Sequence, residues 1–373
     1  QGFECAVLWP EEVAPGAELE AGMPAEVVGY GRTACRQAGV PKRIILTFNP
    51  PDEDHWPLWH DTPTLTPTGW VKIGDLSVGD AVIAADGTAT TVTGVFRRGI
   101  QDLYAVRFSD GASILATGDH PWGVLSKWNR TGKATRRDAK PIQIVTTEQI
   151  RQRLALAPAR HTRSESRRQA RWSVPLVGAV RFPAQPVPLD PYVLGALLGD
   201  GCFKNGEVKL CSADQEILDH VRAGLPPGTY LRHLRTYDYT ILSDGGHRTP
   251  NPVTRAIRTL GLAGRWALTK FIPPQYLWNS PAVRLAVLQG LLDTDGHATR
   301  DGNSVSFASI SEQLVADVEF LVRSLGGVAR RRKPGGIGPR RPHASYLTGI
   351  TLPDEVRPFR LSRKNARLRT KTK

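Results

Sequence analysis

Long apolar runs are missing from this 373-residue chain. None approaches the roughly 18–20 residues that a bilayer-spanning helix needs, which excludes a transmembrane helix. A basic segment leading into an apolar one is also missing, so no secretory signal is visible. The first residue is Gln1 and not Met, so a processed product or a fragment is expected. Cysteine is scarce: Cys5, Cys35, Cys202 and Cys211 are the four present. None forms a C-x-x-C pair, and four are too few for a disulfide framework, which argues against structural zinc as well. They read as small apolar fillers in a protein of the reducing cytoplasm. The length leaves room for two or three domains with sizeable cores.

Positive charge, by contrast, is plentiful. The formal net charge is +14 and the pI about 9.9. Such a balance favours polyanionic partners. The basic residues cluster in three places. One stretch runs from Lys127 to Arg171 and includes Arg136-Arg137 and Arg167-Arg168. A second runs from Arg330-Arg331-Arg332-Lys333 to Arg340-Arg341, and a third covers Arg357 to Lys373. A single run of this kind is usually a solvated face. Three together read as a phosphate-contacting surface once a nuclease motif stands beside them, and double-stranded DNA is then the expected partner.

The texture changes along the chain. Residues 1–56 are rich in Pro and Gly and hold one strand, Arg43-Ile44-Ile45-Leu46-Thr47-Phe48, which Pro50 and Pro51 stop. Residues 57–125 read as all-β. Short alternating runs (Thr62 to Leu65, Ala81 to Ala84, Thr90 to Phe96, Leu103 to Phe108, Ser113 to Ala116) are separated by turn pairs such as Thr68-Gly69, Asp86-Gly87 and Asp110-Gly111. Residues 126–185 are basic and polar, and read as a linker or DNA-binding insertion with a short helix near Thr147 to Leu156.

Residues 186–373 contain an internal repeat, at about 186–262 and 280–356. Copy one opens with a helical run from Pro191 to Leu198 and ends it at Gly199-Asp200-Gly201. Copy two opens with Val283 to Leu292 and ends at Asp293-Thr294-Asp295-Gly296. In each, a hairpin follows (Cys202 to Ser212; His297 to Ser309), then an amphipathic helix (Asp214 to Leu225; Ser311 to Leu325). A second strand pair comes next: Thr229 to Leu234 with Tyr237 to Leu242, and Gly327 to Arg332 with Tyr346 to Leu352. Pro252 to Leu260 closes copy one as a helix. The expected unit is αββαββα, and the two Asp-Gly pairs stand 95 positions apart (295 − 200).

Small residues interrupt the apolar face of each opening helix: Gly195 and Ala196 in one, Gly290 in the other. They let two helix backbones approach closely and bring the terminal carboxylates together. Two carboxylates at helix C-termini repel each other and the helix dipoles. A hard divalent cation such as Mg²⁺ or Mn²⁺ removes that conflict and can activate water for phosphodiester hydrolysis.

The two helix-ending segments, Leu194 to Gly201 and Leu288 to Gly296, resemble the paired motifs of the LAGLIDADG homing endonucleases. The resemblance implies two motif helices at a pseudo-two-fold interface of a monomer, with four-stranded saddles lying on DNA. It implies metal binding by Asp200 and Asp295. It also implies a lysine that positions water or stabilises charge, which Lys270 fits in Lys270-Phe271-Ile272-Pro273. Hairpin residues Lys204, Lys209, Arg232, Arg235, Arg330 and Arg332 are the expected DNA contacts. A DNA-binding protein that no longer cuts is the alternative.

The β segment resembles inteins. Asp61-Thr62-Pro63 leads into an opening block, and Thr117-Gly118-Asp119-His120-Pro121-Trp122 resembles the second, T-x-x-H block. The resemblance implies a Hint splicing domain in which Thr117 and His120 polarise the scissile peptide. An imidazole suits that proton transfer near neutral pH. Most inteins start with Cys or Ser, and Pro57 stands at that position here. A minority class lacks the first nucleophile and carries a Trp in the second block, as Trp122 does. The sequence ends at Arg369 to Lys373 with no His-Asn dipeptide and no late Cys. Splicing is therefore expected to need a separate C-terminal intein fragment; a pure autoprocessing domain is a further alternative. Ile44 to Trp56 resembles the coupling motif of phage terminase large subunits, although no G-x-x-x-x-G-K-[ST] loop is present. The expected architecture is thus multidomain: a partial terminase extein, an all-β Hint domain and an α+β endonuclease with two αββαββα repeats.

Overall fold

A computed structural model describes residues 58–96, 101–126, 142–155, 172–204, 206–245, 251–299, 304–332, 334–335 and 342–368. The terminase-like segment 1–56, Pro57, the arginine pairs at 136–137, 167–168 and 340–341, Lys333 and the last residues of the tail lie outside the described residues. The chain divides into two compact units, 1–177 and 178–373. Among the described residues no helix is long and apolar enough to cross a membrane.

The first unit is built from short antiparallel pairings. β1 (Pro63–Thr66) pairs with β2 (Gly69–Lys72), β3 (Ala81–Ile83) with β4 (Ala89–Thr91), and β5 (Leu103–Arg107) with β6 (Ser113–Thr117). The Asp-Gly turns join the last two pairs. Gly87 and Gly111 take φ of 83° and 97°, which a side chain would strain. The preceding Asp86 and Asp110 accept from the backbone N–H two residues on. β7 (Pro121–Ser126), β8 (Gln143–Thr146) and β9 (Trp172–Ser173) form a further sheet in the order β8-β7-β9, and α1 (Thr147–Ala155) follows β8. The stretch read as a linker between 126 and 185 therefore contributes two strands and a helix to the β unit. β9 has only two residues, too few for an alternating pattern to show. Leu58, Ile73, Leu76, Val82, Val92, Ala116, Trp122, Val124 and Val145 form the core.

The second unit carries the repeat. α2 (Pro191–Asp200) leads into β10 (Gly201–Cys202) and β11 (Lys209–Cys211), then α3 (Gln215–Gly224), β12 (Thr229–Arg235), β13 (Asp238–Ser243) and α4 (Pro252–Thr259). A one-turn α5 (Pro274–Leu277) precedes copy two. That copy runs α6 (Pro281–Asp295), β14 (Gly296–Ala298), β15 (Val305–Ser309), α7 (Glu312–Ser324), β16 (Val328–Arg331), β17 (Tyr346–Thr351) and α8 (Ser362–Asn365). The sheets have equivalent orders, β10-β11-β13-β12 and β14-β15-β17-β16. Copy two thus continues beyond residue 356 and closes in a single helical turn.

One core holds both copies together. It includes Leu194, Leu197 and Leu198 from α2, Val287, Leu288, Leu291 and Leu292 from α6, and Val221, Val318 and Val322 from the flanking helices. Each sheet turns one face to this core. Leu210 and Ile241 face inward in one sheet, Val305, Phe307 and Ile350 in the other. The opposite faces carry the polar strand positions, as the two-residue period of a strand requires.

Candidate active site

The two motif helices are started by the same local chemistry. The Asp190 carboxylate accepts from the N–H groups of Tyr192 and Val193, and Ser280 Oγ accepts from Val283 N. Each cap precedes a proline at the first helical position, where its missing N–H costs nothing. Between caps the helices touch backbone to backbone. A Cβ on Gly195 would stand 2.2 Å from the Val287 carbonyl oxygen, and one on Gly290 would stand 2.3 Å from that of Tyr192. Both helices stop at a glycine with extended φ, Gly201 and Gly296. Space, and not φ, demands glycine there: a Cβ would lie 2.3 Å from the carbonyl oxygens of Leu197 and Leu292 respectively.

Asp200 and Asp295 are the last helical residues, and the helix ends lie side by side. A Cβ on Gly199 would come within 3.3 Å of an Asp295 carboxylate oxygen. Burial raises the Asp295 carboxyl to about 6, with the like charge of Asp200 adding to it and Lys270 and Lys364 opposing it. Burial also raises Asp200, again against the two lysines. Sequence reasoning placed both carboxylates, and the structure brings them together.

Lys270 is 5% exposed, and its ammonium lies in a cage of carbonyls at the end of α2. Nζ donates toward Leu197 O (3.3 Å), Leu198 O (2.8 Å), Gly199 O (3.1 Å) and Gly201 O (2.8 Å). The last carbonyls of a helix have no internal partner and carry its negative end, so a cation there is favoured. Lys364 does the same for α6. Its Nζ donates to Leu292 O (2.8 Å), Asp293 O (2.8 Å) and Gly296 O (2.6 Å). Burial pulls both ammonium groups down to about 8, and nearby carboxylates resist that fall. Lys364 escaped the sequence reading because it sits in a basic tail that resembles a solvated face. The repeat held the signal, since 364 − 270 = 94 nearly equals the 95-residue offset of the carboxylates.

Asp293 is buried beside this site. It accepts from Tyr192 Oη at 2.9 Å and from the backbone N–H groups of Arg360 and Leu361 at 3.2 Å. Copy one has Leu198 at the equivalent place.

The donor set at the helix ends fits a hard divalent ion. Two part-buried carboxylates whose proton affinity burial raises, with Asp200 adding to the rise at Asp295, are hard oxygen donors short of a counter-charge. Among the described residues no group of three or more His, Cys, Asp or Glu could hold a metal ion. Beside Asp200 a cavity of about 470 Å³ opens, lined also by Cys202, Lys209, Cys211, Arg235 and Asp238.

The expected DNA contacts lie on the outer faces of the sheets or their loops. Lys204, Arg232, Arg235, Arg330 and Arg332 are exposed, and Lys209 is half-buried. Lys209 pairs with Glu207 at 2.8 Å and Arg235 with Asp238 at 3.2 Å. The arginine run from 330 to 332 splits by strand alternation. Arg331 turns to Glu319 and Glu312, which α7 carries, at 3.0 and 3.2 Å, whereas Arg330 and Arg332 take the opposite face.

In the β unit, Thr117, His120 and Trp122 fall in one buried cluster. Thr117 Oγ1 donates to the Asp119 carboxylate. His120 is 4% exposed and stands edge-on to the Trp122 ring, with centroids 4.7 Å apart. Burial pulls its imidazole down to about 4, and Nδ1 has no hydrogen-bond partner among the described residues. Trp122 Nε1 donates to Thr147 Oγ1 at 2.9 Å, a partner that sequence reading did not single out. Thr62 is buried. Asp61 instead pairs with Lys72 at 2.7 Å, which holds its carboxyl below the ordinary range.

Residues 282–357 match the family described as the LAGLIDADG-like domain. The chain is 30% identical over 312 residues to the replicative DNA helicase DnaB of Mycobacterium intracellulare, covering 82% of this chain and 48% of that protein. It therefore spans just under half the length of that relative. Among solved structures, it is similar to I-DmoI in complex with DNA and Mn, with 14% identity, 44% of this chain and 89% of that chain covered, and a TM-score of 0.29. It is also similar to the Msm DnaB1 intein splicing domain bound with zinc, with 40% identity, 18% and 54% covered, and a TM-score of 0.18.

Proposed function

We propose that residues 178–373 form a site-specific double-strand DNA endonuclease of the intein-homing kind, and that the β unit is the N-terminal part of a Hint protein-splicing domain. One observation carries the nuclease reading. Two glycine-packed motif helices end side by side in Asp200 and Asp295, each helix end capped by a buried lysine. Asp200 and Asp295 are the residues to hold a divalent ion, Mg²⁺ or Mn²⁺, which when bound supplies activated water and charge stabilisation for phosphodiester hydrolysis. Lys270 and Lys364 order the helix ends and place positive charge beside the carboxylates. The outer sheet faces, with Arg232, Arg330 and Arg332, bind backbone phosphates.

Within the same reading, residues 1–56 are terminase-like host sequence, and the target is the intein-free terminase gene. The similarity to a DnaB helicase makes the intein-free helicase gene the second candidate target. Splicing would draw on a C-terminal intein fragment as partner. His120 supports the splicing reading: it is buried and neutral near pH 7, with Nδ1 unpartnered among the described residues. The test is incubation of the full chain and Mg²⁺ with linear DNAs carrying each intein-free junction. The expected result is a double-strand break in one of them, lost in Asp200→Asn. Binding to both without a break in either would overturn the endonuclease reading in favour of a silent DNA-binding remnant.

A further inference from the structure

The two buried lysines reach their helix ends from the C-terminal side of each copy. Lys270 lies in the segment between α4 and α5 that follows copy one, and Lys364 in α8, the helical turn that closes copy two. Each segment is fastened to the other copy. Ser311, the N-cap of α7 in copy two, donates from Oγ to the Lys270 carbonyl oxygen at 2.7 Å. Asp317 on the same helix accepts from Ile272 N at 2.7 Å through one carboxylate oxygen and from Gln313 at 2.8 Å through the other. Asp317 is 5% exposed and Ser311 fully buried.

The reverse crossing uses the equivalent helix. Glu216, in the first turn of α3 in copy one, accepts from Ser362 N at 3.0 Å and from Ser362 Oγ at 2.8 Å. Asp214, the N-cap of α3, accepts from Arg363 Nε at 2.7 Å. Both fastenings therefore fall at the N-cap or within the first two turns of the helix that follows the first hairpin of the opposite copy.

We propose that Ser311 with Asp317, and Asp214 with Glu216, are positioning residues that seat Lys270 and Lys364 from the opposite copy, so that each lysine occupies its carbonyl cage only while the two copies are docked. The functional side of this proposal rests on the endonuclease reading; the structural side does not. A lysine left alone would pay side-chain entropy and desolvation to enter such a cage. Fixing the adjacent backbone to the partner copy removes much of that freedom beforehand. The arrangement makes docking of the copies a condition for assembling either helix end.

The test is acylation of lysines by an amine-reactive ester at pH 8 on the full chain, read peptide by peptide by mass spectrometry, without DNA or metal. Wild type should protect both lysines. Asp317→Ala should raise labelling of Lys270 at least tenfold and leave Lys364 protected; Glu216→Ala should do the reverse. Glu216→Gln, which keeps an acceptor for Ser362 N, should restore protection of Lys364. If circular dichroism shows Asp317→Ala unfolded, Ser311→Ala gives the same reading at smaller amplitude. Unchanged labelling in all these variants, or both lysines rising together in each, overturns the proposal. Single-turnover DNA cleavage is measured alongside. A fall in rate with unchanged DNA affinity is expected for Asp317→Ala and Glu216→Ala. A wild-type chain that never cuts would count against the endonuclease reading while the labelling pattern still decides how the two lysines are seated.

Discussion

The two copies of the repeat share a backbone plan and differ in how they hold it. Copy one ends its motif helix in Leu198-Gly199-Asp200, copy two in Asp293-Thr294-Asp295. In copy two the extra carboxylate is buried and hydrogen-bonded to Tyr192 of copy one and to the backbone of the tail. In copy one an apolar leucine fills that place, and Lys270 is located by Ser311 and Asp317. Close helix contact and a capped C-terminus recur because each copy supplies a glycine at the helix crossing and a lysine for its helix end. The polar network differs because a buried carboxylate is tolerable only where donors converge on it. Duplication therefore conserves the frame, while each site is finished by whatever the opposite copy presents.

The largest expected effect tests whether the two carboxylates act as one unit. Asp200→Asn and Asp295→Asn should each lower plasmid linearisation by roughly 10³-fold or more, because several kcal/mol of charge stabilisation disappear. DNA affinity should hold in gel-shift assays. A variant that still linearises at the wild-type rate would break the pairing. Next is the helix contact. Gly290→Ala drives a Cβ against the Tyr192 carbonyl oxygen and the Ala196 nitrogen, both backbone, and should cost about 3 kcal/mol by calorimetry. Gly199→Ala meets chiefly the Thr294 side chain, which can rotate, and should cost about 1 kcal/mol. Equal losses would contradict the close backbone approach.

A buried base in the β unit provides the contrasting case. Lys270 and Lys364 are buried inside carbonyl cages, whereas burial holds His120 neutral. Folded His120 takes its proton near pH 4 and the unfolded chain near 6.5, so the unfolded state binds more protons in between. Stability should be constant above about pH 7 and fall as pH drops from 6.5 through 4. By pH 5 the loss should be about 2 kcal/mol. Denaturant titration of the β unit's tryptophan fluorescence measures it, and His120→Gln should flatten the dependence. The smallest effect sharpens the asymmetry of the copies. Tyr192→Phe removes one donor from Asp293 and should cost about 1 kcal/mol, read as a small fall in Tm. No change would mean that the copy-two network adds nothing to stability.

Much of the frame was legible in the sequence. Apart from α8, each helix and strand of the repeat falls within a few residues of its pattern, because apolar period, cap and turn residue all agree there. That Asp200 and Asp295 end adjoining helices was legible from the paired motifs. β9 was not, being too short to alternate. Lys364 was hidden in a basic tail. Arg284 stood in an apolar helical run with nothing to mark its fate. It is fully buried and donates to the carbonyls of Asn279, Ser324 and Val180, which are scattered along the chain.

By itself the sequence determined the repeat, the helix ends with their carboxylates, the turn chemistry of the β unit and the net positive charge. These depend on neighbours within a few residues, or on composition. Tertiary structure alone decided that a second lysine mirrors the first, that Asp293 is buried, that Arg331 turns from the outer face, and that each copy fastens the other's lysine. Those outcomes depend on partners 12 to 149 positions away in the chain, and only close packing brings such groups within hydrogen-bonding reach.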